Sequence, residues 1–258
     1  MLWRSNSPRE GIVLVTWNIR DFGITKDSIE LDTIAKQIKH ADVVAIQEIV
    51  TNINGEKKLR DLISKLRQDN SSWNYSLSKA TSSSGSSTES YAFLWKESKL
   101  KIERTRLLFE LDSLIDREPY LITFSTLKTR FNIMSIHTRP EDTGKTKKEI
   151  LALGHLPDSI IDIPSFVLGD FNLNQKDSAF TLLKQKDFFP VLSNEETMLA
   201  GDCKDSTYLG SSFDNIFYSP DIKVYDFRVI DYVQHCDRFS MADSISDHLP
   251  VEVFFSLK

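Results

Sequence analysis

The chain has 258 residues, 40% apolar and 27% charged, the balance of a globular protein large enough to bury a substantial core. Its formal net charge of −5 excludes bulk attraction for nucleic acid or anionic lipid, so a polyanion must be met by a local basic patch or by metal ions. No apolar run is long enough to span a bilayer, and the opening MLWRSNSPREG lacks the apolar stretch of a secretory signal. These features lead us to expect a cytoplasmic chain, or else a mature secreted one. Cys203 and Cys236 are accordingly expected as reduced thiols, with a single disulfide as the alternative.

In chain order, GIVLVTWNI is a continuous apolar run that predicts a buried strand. SIELDTIAKQIKHA follows, with Ile29, Ile34 and Ile38 near helical spacing alongside Leu31 and Ala35. DVVAIQEIV predicts a second buried strand, and KKLRDLISKLRQ a helix with Leu59, Leu62, Ile63 and Leu66 on one face. KATSSSGSSTES, residues 79–90, is small and polar and is expected to be an exposed loop. YAFLWK, PYLITFSTLK and FNIMSIH predict three strands in succession, and KTKKEILALGHL a helix. SFVLGDF predicts a strand, SAFTLLKQ a short helix, and FDNIFYS, KVYDFRVI and PVEVFFSL three further strands. We see no internal repeat and no proline-rich linker, so residues 1–258 are read as one domain. Strand-rich halves separated by helices predict two packed sheets with helices outside.

The polar residues fall in a pattern. Asn18 ends VLVTWN, Glu48 ends VVAIQE and His137 ends NIMSIH. Asp170 and Asn172 follow SFVLG, Asp214 opens DNIFY, Glu89 stands one residue before YAFLW, and Asp247 and His248 precede LPVEVFF. One acid or amide at a strand end is ordinarily a turn residue. So many at the ends of apolar strands point instead to one cleft presented by a rigid scaffold. Glu48, with Asn18, Asp170, Asn172 and Asp247 as helpers, offers hard oxygen ligands suited to Mg²⁺, Mn²⁺ or Ca²⁺, and no cysteine or histidine spacing suggests zinc. His137 and His248 can move protons or bind a phosphate. A hard metal together with imidazoles fits phosphate-ester hydrolysis. The chain carries no Walker loop, dinucleotide fingerprint or Gly-x-Ser-x-Gly elbow.

The ordered series TWNIRDFG, AIQEI, ESYAFLWK, REPYLITF, SIHTRP, GDFN, FDNIF and SDHLPVEV resembles the endonuclease/exonuclease/phosphatase superfamily over nearly the whole chain. The resemblance implies an α/β four-layer sandwich of two mainly antiparallel sheets flanked by helices, with the site at one end. A histidine in SIHTRP separates the chain from the exonuclease III type, and ESYAFLWK and REPY resemble the deoxyribonuclease I branch. That branch implies Glu89 orienting His137, Asp214 orienting His248, and Asn18, Glu48, Asp170, Asn172 and Asp247 at the metal and phosphate positions. Arg20 and Arg117 match arginines that touch a DNA backbone. The implied protein is a metal-dependent phosphodiesterase that cuts DNA with little sequence preference, using Mg²⁺, with Mn²⁺ or Ca²⁺ as alternatives; a monomer is expected. A phosphatase or phosphodiesterase acting on a phospholipid, inositol phosphate or nucleotide is the second reading. It gains from the acidic net charge and from two departures, Val50 and Ser87 standing where the branch carries its minor-groove arginine and tyrosine; Phe213 also stands where the family usually has a tyrosine. Arg139, Lys145, Lys147 and Lys148 are candidates for a phosphate-tracking rim, or for nothing more than a solvated helix start.

Overall fold

A computed structural model describes residues 11–23, 25–82, 88–140 and 142–258. The strands are β1 (Ile12–Phe22), β2 (Val43–Val50), β3 (Trp73–Leu77), β4 (Glu89–Lys96), β5 (Lys101–Leu107), β6 (Tyr120–Ser125), β7 (Arg130–His137), β8 (Ser165–Asp170), β9 (Phe189–Pro190), β10 (Leu199–Lys204), β11 (Thr207–Leu209), β12 (Asp214–Tyr218), β13 (Ile222–Val229) and β14 (Val251–Leu257). The helices are α1 (Ser28–Ile38), α2 (Ile53–Leu66), α3 (Thr143–Ala152), α4 (Asp158–Ile161), α5 (Thr181–Gln185) and α6 (Phe239–Ile245).

One sheet runs β13-β14-β1-β2-β4-β3 and the other β5-β6-β7-β8-β12-β9. Each has a single parallel pair, β1 with β2 and β7 with β8, flanked by antiparallel neighbours. Strand periodicity divides the apolar residues between two faces. Along β1, Ile12 and Leu14 face the other sheet, while Val13, Val15 and Trp17 face α1 and α2. The inter-sheet layer is aromatic: Phe166 packs 4.7 Å from Phe255, and Phe131 5.7 Å from the same ring. Burying one such side chain is worth about 1.5–3 kcal/mol. A third apolar layer seals the second sheet under α3, α4 and α5, through Ile150, Ile160 and Leu183. The molecule is therefore the expected helix–sheet–sheet–helix sandwich.

Local signals fix the helix ends. Asp27 caps α1 and pairs with Glu30 in a capping box, Asn52 caps α2 and Asp142 caps α3. The predicted face of α2 is buried throughout, but Ile29 of α1 is 72% exposed. It stands in the first turn of α1, away from the stripe formed by Leu31, Ile34, Ala35 and Ile38. Strands β3 and β5, the hairpin β10–β11 and helix α6 were not anticipated.

Cys203 and Cys236 form a disulfide, which corrects the expectation of reduced thiols. Their Cα atoms lie 5.5 Å apart, within bonding range, because β10 packs against α6 and Cys236 lies just before that helix. Among the described residues no helix is long and apolar enough to cross a membrane.

Candidate active site

The topology explains why strand-end residues meet. In both sheets the parallel pair presents its carboxyl ends at one edge of the sandwich, and the antiparallel neighbours present their amino ends there. Asn18 and Glu48 therefore come from the carboxyl-terminal halves of β1 and β2, and His137 and Asp170, partners in register, from the ends of β7 and β8. Glu89 opens β4 opposite Val50, Asp214 opens β12 opposite Asp170, and Asp247 and His248 lead into β14.

Two backbone irregularities aim the side chains. Along β2, Val44 and Ile46 face the helices, and Ile49 resumes that face after a register shift. Glu48 is the extra residue. It adopts φ +61°, and this bulge turns its carboxylate into the cleft. Gly169 has φ +131°, and a Cβ there would meet the Ile136 carbonyl oxygen at 2.0 Å. Only glycine lets β8 approach β7 closely enough to set Asp170 beside His137. Asp21 and Asn172 at the same cleft also have positive φ, the kind of backbone strain that collects at functional sites.

The cleft has a volume of about 580 Å³, and Glu48, Glu89, Arg117, His137, Asp170, Asn172, Asp247 and His248 all line it. His137 Nδ1 lies 3.0 and 2.9 Å from the two oxygens of Glu89. His248 Nδ1 lies 2.8 Å from Asp214 Oδ2. The Nε2 atoms of both rings point inward, each 3.5 Å from Asp170 Oδ2. Asn18 Nδ2 donates to Glu48 Oε1 and to Asp170 Oδ2, both at 3.0 Å. The Asp21 amide donates to Glu48 Oε2 at 3.1 Å, and the Asn172 amide to Asp170 Oδ1 at 2.8 Å. Arg117 is buried, with Nη1 3.6 Å from Glu89 Oε2.

Burial works against charge on His248, but Asp214 and Asp170 outweigh it and raise the imidazole pKa to about 10. His137 follows the same pattern: burial lowers its pKa, and Glu89 and then Asp170 raise it overall. Burial also pushes Asp170 upward, yet His248 and His137 hold it below the usual carboxylate range. Asp214 is raised by burial, with His248 pulling the other way. The neighbouring carboxylates thus favour the protonated form of both imidazoles, His248 more strongly, and the imidazoles in turn favour the ionised form of Asp170 between them.

The residues also fit a hard cation. Asn18 Oδ1 is buried with no hydrogen-bond partner among the described residues, beside the Glu48 carboxylate. A neutral oxygen and a carboxylate left open toward a polar cleft suit Mg²⁺, Mn²⁺ or Ca²⁺. Asp170, Asp214 and His248 also have ligand atoms within 4.8 Å of one another. Their nitrogen and oxygen atoms are largely engaged with each other, which suits an orienting dyad better than a metal cage.

The remaining candidates fall outside this cluster. Arg20 does not line the cleft. Its guanidinium is held by the Asp243 carboxylate and carbonyl, with Nη1 3.7 Å from Asp247 Oδ2. Val50 does line the cleft, and Ser87 lies outside the described residues. Arg139 pairs with Asp116 and Lys147 with Asp177, while Lys145 and Lys148 are exposed beside a second cavity of about 250 Å³. Sequence reasoning missed Thr197, Met198 and Tyr91. The Tyr91 hydroxyl accepts from the His137 amide, and Met198 forms an antiparallel bridge with His248. Neither lies in a stretch whose polarity marks it out.

The site and the sandwich are those of a phosphoester hydrolase, and the comparisons agree. The model of the Endonuclease/Exonuclease/phosphatase family matches residues 15–248, and the chain belongs to that family. Among solved structures, an endonuclease/exonuclease/phosphatase family protein from Bacteroides thetaiotaomicron is 15% identical, with 96% of this chain and 98% of that one covered and a TM-score of 0.71. A mannosyl-6-phosphatase from the same organism is 13% identical over 95% and 100% of the two chains, TM-score 0.70. The catalytic domain of human Nocturnin is 13% identical over 97% and 96%, TM-score 0.64. At these identities the likeness establishes the fold alone. No curated protein sequence matches the chain.

Proposed function

We propose that the chain is a divalent-metal-dependent phosphodiesterase acting on DNA as an endonuclease of low sequence specificity. The observation that carries this reading is the pair of opposed imidazoles, each backed by a buried carboxylate and each facing Asp170 Oδ2 at 3.5 Å. One imidazole on each side of a phosphorus suits a displacement in which one ring, in its neutral form, takes the proton of the attacking water and the other, in its protonated form, gives a proton to the leaving oxygen. Glu89 and Asp214 fix the rings, Asp170 and Asn172 orient the attacking water and the phosphate, and Arg117 supplies positive charge at the cleft wall. Glu48, Asn18 and Asp247 would hold Mg²⁺, Mn²⁺ or Ca²⁺, which supplies charge neutralisation at the scissile phosphate. The chain acts as one catalytic unit and as a monomer. The disulfide supports an oxidising compartment rather than the cytoplasm.

A second reading, hydrolysis of a small phosphoester such as a nucleotide, inositol phosphate or lipid headgroup, is favoured by Arg20, whose charge is spent on Asp243. Nicking of supercoiled plasmid with Mg²⁺ or Mn²⁺ separates the two. The endonuclease reading expects nicking by wild type, and none by His137→Ala or by wild type with chelator. Folded protein that leaves plasmid intact across several metals, yet releases phosphate or alcohol from small esters, overturns it in favour of the second.

A further inference from the structure

We infer that Thr197 is a positioning residue that fixes the orientation of the His248–Asp214 dyad. The inference rests on the functional reading above only for its kinetic consequence. Thr197 is fully buried, and its hydroxyl makes three contacts: the amides of Phe213 and Asp214 donate to Oγ1 at 3.2 and 3.0 Å, and Oγ1 lies 2.7 Å from Asp214 Oδ2. A hydroxyl has two lone pairs and one proton. With both lone pairs taken by amide N–H groups, the proton has one direction left, toward Asp214 Oδ2. That oxygen therefore receives Thr197 Oγ1–H on one side and His248 Nδ1–H on the other, while Asp214 Oδ1 is buried with no partner among the described residues. All the hydrogen bonding that sets the tilt of this carboxylate passes through one oxygen, and half of it comes from Thr197.

The same residue holds the other half of the dyad. The Leu249 amide donates to the Thr197 carbonyl at 2.7 Å, and the Leu199 amide to the Asp247 carbonyl at 2.7 Å. With the Met198–His248 bridge between them, residues 197–199 form a short antiparallel clasp on residues 247–249. Thr197 thus fixes the carboxylate through its side chain and the imidazole through its backbone, and a β-branched side chain does this with a stiff χ1. The partner dyad is held differently. Glu89 offers both oxygens to His137 and leans on Arg117, and among the described residues no hydroxyl bonds to its carboxylate. Loss of the Thr197 hydroxyl should therefore affect His248 and leave His137 as it is.

The test compares plasmid-nicking kinetics of wild type, Thr197→Val, Thr197→Ser, Asp214→Asn and the double variant Thr197→Val/Asp214→Asn. The valine is near-isosteric and lacks the hydroxyl, and the serine restores it. We expect Thr197→Val to lower kcat by about 10- to 100-fold, at or below the usual worth of an acid–base group. KM should stay within about twofold, and serine should recover most of the rate. In the Asp214→Asn background the valine should cost nothing further, because its effect runs through the carboxylate. Wild-type kcat in Thr197→Val, an added loss in the double variant, or a serine as slow as the valine would each overturn the assignment. If wild type leaves plasmid intact, the functional reading has failed and the assignment is decided by proton NMR. The hydrogen-bonded Nδ1 proton of His248, identified by its loss in His248→Asn, should move in Thr197→Val and return in Thr197→Ser. A resonance unmoved by the valine overturns the proposal.

Discussion

Replacing Glu89 by glutamine keeps the shape of the side chain and removes its charge from His137. At 2.9 Å and an effective dielectric of about 20, the Coulomb attraction has a ceiling of about 6 kcal/mol. Most of that is offset by desolvation of two buried groups, and Arg117 already draws on the same carboxylate. The amide oxygen still accepts from Nδ1, so the loss is that of a charge-assisted hydrogen bond, about 1.5–3 kcal/mol. If the full amount is expressed in the rate-limiting step, nicking slows by about 10- to 150-fold. The pH dependence shifts in a definite direction. Burial opposes protonation of His137 and Glu89 restores it, so without the carboxylate burial prevails and the imidazole loses its proton at lower pH. Whichever limb of the rate profile His137 controls therefore moves to the acid side. The assay is plasmid nicking at saturating Mn²⁺ from pH 5 to pH 9, with a thermal melt to confirm folding. A folded Glu89→Gln enzyme with wild-type rate and profile would refute the reasoning.

Three further outcomes follow. Gly169→Ala should abolish activity and cost well over 2 kcal/mol of stability, since its Cβ would collide with the backbone of β7 at a positive φ; a urea melt beside the nicking assay decides it. Glu252→Gln should destabilise by about 1–3 kcal/mol at pH 7, measured by urea midpoint, because the buried carboxylate is held by His40 and by the half-exposed Arg228. Burial pushes the Glu252 pKa up, but those partners hold it below the unfolded value of 4.5, so the contribution is complete above that pH and fades as pH falls through the folded value; the two proteins should converge once pH lies below it. The double substitution Cys203→Ser/Cys236→Ser opens a loop with a sequence separation of 33 and should cost about 3–4 kcal/mol by chain entropy, read from the same melts.

Much of the candidate site was legible because its residues interrupt apolar strands. Asn18, Glu48, His137 and Asp170 each end a run whose alternation or continuous apolarity is plain, and the parallel pairing of their strands brings those ends together. Elements without such runs stayed hidden. Strand β5, KIERTRL, is an exposed edge whose charged side chains face solvent and carry no period-two signal. Helix α6, FSMADSI, buries only Ala242 and Ile245. Arg20 shows the limit for function. Its place in TWNIRDFG suggested a phosphate contact, but Asp243 competes for it from more than two hundred residues away, and no local pattern carries that information. Thr197 was invisible for the same reason, since a hydroxyl in NEETMLAG gains its role only when the clasp on residues 247–249 forms.

The position of β14 bears on when the protein first becomes competent. This strand inserts between β1 and β13, so the first sheet cannot close until residues 251–257 are available. His248, carried at the mouth of that strand, joins a site whose other members begin at Asn18. Contacts of such span are the slowest to form in a folding chain, because loop closure is costly before any contact repays it. During synthesis, Glu48 and His137 emerge long before their counterpart. A nascent chain therefore carries half a cleft, and phosphoester hydrolysis stays silent until strand β14 docks.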